Sequence, residues 1–187
     1  MGKYRTGTDS QRQKVYDAER VLRQYSESFD SIEECFDYMS KIIRRKSVRE
    51  QFPRAHSILK PVGGKPKMRP NNRRYYDDAW RHHKVYGRNK GLWVSFGNKY
   101  GGSYWHPRDH RIQLAGNHMY EGLCIHELCH GIVDMEFGQR TTPHGRKFCH
   151  TYLWVVRKVM GKEAHAALKA SFQEHGVVFT LPFKKAA

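Results

Sequence analysis

Residues 120–138 read YEGLCIHELCHGIVDMEFG, and inside them His126-Glu127-Leu128-Cys129-His130 is an HExxH pattern on an uninterrupted helical stretch. The apolar spacing predicts a helix over 119–137, with Asn117 able to cap its start and Gly138 at its end. At 3.6 residues per turn, His126 and His130 lie about 40° apart around the axis and about 6 Å apart along it. Both imidazoles therefore leave one face and can share a tetrahedral Zn²⁺. Glu127 points about 100° from His126, close enough to reach a metal-bound water without being a ligand. Holding a metal and placing a base beside it are two of the jobs a zinc hydrolase needs done. With 12 His in 187 residues, chance would supply about 0.04 such motifs, so the pattern is informative.

A catalytic zinc takes three protein ligands and keeps one position for water, so a third donor is required. His144, in His144-Gly145-Arg146-Lys147-Phe148, is the choice. A metzincin would need Gly at 133 and His at 136, where this chain has Val133 and Glu136. Asp134 sits one further turn along the same row as the two His, and three ligands in a straight row cannot converge on one ion. It is expected to support or pack, with a direct ligand role as the lesser alternative. His150 should face elsewhere on its own helix, and Cys129 falls off the metal-facing row.

Outward from this helix, residues 92–96, 103–106 and 111–114 read as strands separated by turns, a small antiparallel meander. Towards the N-terminus, Asp9 or Ser10 can cap a helix with the stripe Val15, Tyr16, Ala18, Val21, Leu22 and Tyr25. Ser31-Ile32-Glu33-Glu34 is a capping box for a second helix, which runs to the basic Arg44-Arg45-Lys46. Two more helices are expected over 145–160 and 162–175, followed by an extended tail. The fold class is α+β.

Composition narrows the setting. Aromatics at 13% and apolar residues at 39% exclude a disordered chain, and no apolar run approaches a membrane span. Cys35, Cys124, Cys129 and Cys149 lack CxxC spacing and sit in apolar helical patterns, as reduced core thiols do. The basic N-terminus has no apolar segment behind it, so a cytoplasmic location is expected, in the host cell if a phage encodes the chain. The net charge is +16, and residues 41–90 alone carry 16 Lys and Arg against 3 Asp and Glu. A field so concentrated attracts a polyanion, most simply nucleic acid. Arg44, Arg45, Lys46, Arg73, Arg74, Arg81 and Lys84 are the candidate contacts, and Tyr75, Tyr76, Trp80 and Tyr86 interleave with them as bases could stack.

HELCH followed by HGRKF resembles the SprT-like zincin metallopeptidases, whose signature is HExxH with a third zinc His at an HGxxF-type helix start. The helix opening at 9–19, the strand 111–114 and the stretches 160–168 and 175–177 are similar to short metallohydrolases of actinobacteria and their phages. Only the two His motifs are specific. The resemblance implies a zincin-like fold, with a small antiparallel sheet on the HExxH helix between N- and C-terminal helices, in one domain spanning 1–187. It also implies His126, His130 and His144 as zinc ligands, Glu127 as general base, and metalloendopeptidase activity. The chain departs from the pattern in a basic, loop-rich insertion at about 60–90 and in having no separate zinc-binding C-terminal domain. Some SprT-like proteases cut proteins crosslinked to DNA, which the basic segment would suit. The competing expectations are a nucleic-acid-binding or virion-associated protein whose zinc only stabilises the fold, and a zinc hydrolase acting on something other than peptides.

The strand 111–114 could pair with an extended peptide substrate if it lies at a sheet edge. Tyr120, Tyr152, His150 and Arg146 are the candidates for stabilising the oxyanion.

Overall fold

The structure is a computed structural model that describes residues 9–60, 85–86, 91–96, 102–107, 110–115, 119–139 and 141–180. Its helices are α1 (Arg12–Glu19), α2 (Ile32–Arg44), α3 (Lys46–Gln51), α4 (Glu121–Phe137), α5 (Arg146–Val159) and α6 (Lys162–Glu174). The strands are β1 (Val85–Tyr86), β2 (Trp93–Phe96), β3 (Tyr104–His106) and β4 (Arg111–Leu114). The architecture is α+β.

Local chemistry accounts for the helix ends. At α2 the Ser31 hydroxyl accepts from the Glu34 N–H at 3.2 Å, and the Glu34 carboxylate accepts from the Asp30 N–H at 3.0 Å. This is the capping box, with the return bond landing one residue earlier than the motif specifies. Helix α4 ends at Gly138, whose φ of 83° suits a residue without Cβ. The capping residue at its other end is Tyr120, and Asn117 lies outside the described residues. Helix α1 differs from expectation. Its capping residue is Gln11, which makes no side-chain cap bond, and the chain tightens into a 3₁₀ turn over Arg20–Tyr25. Asp9 is engaged elsewhere, as shown below.

The sheet is mixed, not an antiparallel meander. Strand order is β1-β2-β4-β3, with β2 parallel to β4 and the other two pairings antiparallel. Burial explains the order: Val94 of β2 and Ile112 and Leu114 of β4 are fully buried, whereas Tyr104 of β3 is 53% exposed. The buried side chains of β2 and β4 lie in the middle of the sheet, and the more exposed β3 lies at its edge. Because β4 is paired on both sides, it has no free edge for a substrate strand; among the described residues β3 has one.

Helix α4 runs through the core. Cys124, Ile125, Leu128, Cys129, Ile132 and Val133 are buried on it, packed among α2, α5 and β3. Helices α5 and α6 close one side through Phe148, Tyr152, Val156, Leu168 and Phe172, and α1 rests on α6. All four cysteines are free and buried. No helix among the described residues is long and apolar enough to cross a membrane.

Candidate metal centre

Three imidazoles converge where α4 passes the start of α5. His126 and His130 leave one side of α4, and His144 arrives from the turn before α5. Nε2 of His126 lies 3.1 Å from Nε2 of His130 and 3.3 Å from Nε2 of His144. The three donor atoms all fall within 4.8 Å of one another, and the group could hold a metal ion.

The other ring nitrogens explain why the cluster favours a cation. His126 Nδ1 lies 2.6 Å from a carboxylate oxygen of Glu19, and His144 Nδ1 lies 2.6 Å from one of Asp9. Each Nδ1–H donates to its carboxylate, a tautomer assigned from these partners, so each Nε2 presents a lone pair. Two lone pairs facing each other at 3.3 Å in a buried site repel unless a positive charge lies between them. A tetrahedral ion with bonds of about 2.0–2.1 Å spaces its nitrogens by about 3.3 Å, close to the two separations found here.

Electrostatics agree. Burial, aided by the other two rings, holds His130 well below the ordinary histidine value. Burial and His126 also lower His144, against the pull of Asp9. For His126 burial is again the largest influence and acts downward, but Glu19, Glu127 and Asp9 together lift it above the ordinary value. Aromatic rings fix the imidazoles in place: Phe148 stacks on His130 at 4.3 Å, and Tyr152 meets His126 edge-on at 5.6 Å.

Glu127 is 4% exposed, and its Oε2 has no hydrogen-bond partner among the described residues. Burial pushes its carboxyl up to about 7, opposed by His126. It opens, with His130 and His144, onto a cleft of about 330 Å³ whose walls include Tyr16, Tyr104, Trp105 and Asp134. Asp134 accepts from the Trp105 indole N–H at 3.1 Å and is outside the three-His group, as are Cys129 and His150. Gly131 allows this approach of β3 to α4, since a Cβ there would stand 3.2 Å from Trp105 and from Ile58.

None of the four oxyanion candidates lines the cleft. Tyr152 is fully buried and donates to the Gly122 carbonyl at 3.2 Å, and Arg146 is exposed on the first turn of α5. Of the basic candidates, Arg45 donates to the Lys158 carbonyl at 2.7 Å, Lys46 lies 3.8 Å from Glu50, and Arg44 is exposed at the end of α2. Arg73, Arg74, Arg81 and Lys84 lie outside the described residues, as do Tyr75, Tyr76 and Trp80; of Tyr86 only the backbone, in β1, is described.

Asp9, Glu19 and Tyr16 are the site residues that sequence reasoning missed. Glu19 did leave a signal, since it is an acid among the buried positions Val15, Ala18 and Leu22 of the α1 stripe. Compared with known proteins, the chain matches no family model, no curated protein and no solved structure.

Proposed function

We propose that the chain is a zinc-dependent metallopeptidase of the HExxH class, on a zincin-like fold and related in mechanism to the SprT-like enzymes. One observation carries the reading: a buried carboxylate, Glu127, one oxygen of which has no hydrogen-bond partner among the described residues, in the lining of the cleft that His130 and His144 share. A zinc that only braced the fold would have no use for it, and burying a carboxylate without partners is costly. The reaction class gives that group its work.

His126, His130 and His144 would hold the ion, with Glu19 and Asp9 orienting the first and third rings. When bound, zinc supplies a Lewis acid that brings the pKa of its water to about 7 and polarises a carbonyl. Glu127 accepts a proton from the attacking water as its oxygen bonds to the carbonyl carbon and the C=O π pair moves to the carbonyl oxygen. The same carboxyl then delivers that proton to the amide nitrogen as the C–N bond breaks. An extended peptide would pair with the outer edge of β3, beside Tyr104 and Trp105. The charge of +16 favours substrates carried on nucleic acid, and four buried free thiols suit the reducing cytoplasm.

The test compares the zinc-loaded wild type with Glu127→Gln on unfolded casein. The variant should keep its zinc and lose hydrolysis by about 10²–10⁴-fold. Equal rates in the two proteins would leave a structural zinc site.

A further inference from the structure

A peptide carbonyl under attack gathers negative charge on its oxygen, and a donor aimed at that oxygen contributes much of the rate. Several side-chain donors line the cleft, Arg12, Ser103, Tyr104 and Gln139 among them, but it is Tyr16 whose ring stands against two of the imidazoles. The Trp105 indole N–H is given to Asp134, and the Thr141 hydroxyl lies 3.4 Å from the Phe137 carbonyl. Tyr16 differs. Its ring centre stands 5.7 Å from that of His126 and 5.1 Å from that of His144. It lines the cleft with Glu127 and is 37% exposed, and among the described residues its hydroxyl makes no hydrogen bond.

Its placement is firm. Helix α1 is anchored to the centre on both sides of Tyr16, by Asp9 on His144 and by Glu19 on His126. Gln11 adds a bond to the His144 carbonyl at 3.0 Å. These bonds hold the stretch of chain that carries Tyr16 beside the imidazoles.

We propose that Tyr16 is a catalytic residue that donates its phenolic O–H to the substrate's carbonyl oxygen as that oxygen becomes an oxyanion. No proton is transferred; the bond strengthens as charge develops and weakens as the C–N bond breaks. The inference rests on the peptidase reading for its substrate, but the donor role has its own readout.

Tyr16→Phe removes the hydroxyl alone and is compared with wild type as the full zinc-loaded chain. Zinc content and thermal melting should be unchanged, while kcat on casein falls about 10²–10³-fold with little change in KM. In the cobalt-substituted protein, titration with inorganic phosphate, followed by visible absorption, should show about 10–100-fold weaker binding in the variant. If the wild type cuts no casein, the peptidase reading fails while the phosphate titration still decides the donor role. Unchanged phosphate affinity, unchanged kcat, or loss of zinc from Tyr16→Phe would each overturn the assignment, the last by making Tyr16 a prop for the rings.

Discussion

At the scale of single residues, two carboxylates stand behind the three imidazoles. Asp9 and Glu19 each hold an Nδ1–H at 2.6 Å, which sets the tautomer and turns Nε2 toward its neighbours. Asp9→Asn and Glu19→Gln should each weaken zinc binding about 10–100-fold while leaving the helix content intact. Competition with a chromophoric chelator checks this, and unchanged affinity in both would mean that packing alone orients the rings. No sequence rule pairs these acids with the histidines, which lie 107 and 135 positions away. HExxH spacing, by contrast, is a property of one helix and is legible without any fold.

At the scale of elements, the helices were readable and the sheet was not. Periodicity and caps identify α2, α4, α5 and α6 because the forces involved act within a few residues. Strand neighbours are chosen by burial across the sheet, so the chain order that suggested a meander gave the wrong pairing for β2. Strand β3, at the edge beside the cleft, also carries a pH response. Burial, reinforced by the Arg111 cation, pushes His106 down to about 4, and its Nε2 is buried without a hydrogen-bond partner among the described residues. A depressed histidine is neutral in the fold and binds protons more readily when unfolded, so its contribution is present above about 6.5 and is lost as pH falls toward 4. Thermal melts from pH 7 to 4 should therefore fall more steeply for wild type than for His106→Gln. Parallel curves would show that His106 is not the source.

For the molecule as a whole, the proposed zinc site would link metal binding to folding. Residues of α1, α4 and the turn before α5 meet at the centre, so zinc should bind the folded chain in preference to the unfolded one. At free zinc about 100 times Kd the gain is about 2.7 kcal/mol. Chelation should lower the melting temperature by several degrees, and zinc should restore it; a melt indifferent to chelator would mean the imidazoles are held without the ion.

The sequence by itself determined that His126 and His130 share a face with Glu127 beside them, because a helical period acts over a single turn. It also marked His144 as the third partner, though not where its ring would lie. Only the tertiary structure decided that three nitrogens meet, that Asp9 and Glu19 orient two of the rings, and that β4 lies inside the sheet with β3 at its edge. Those outcomes depend on how distant segments bury their apolar faces against one another, and no local spacing encodes that.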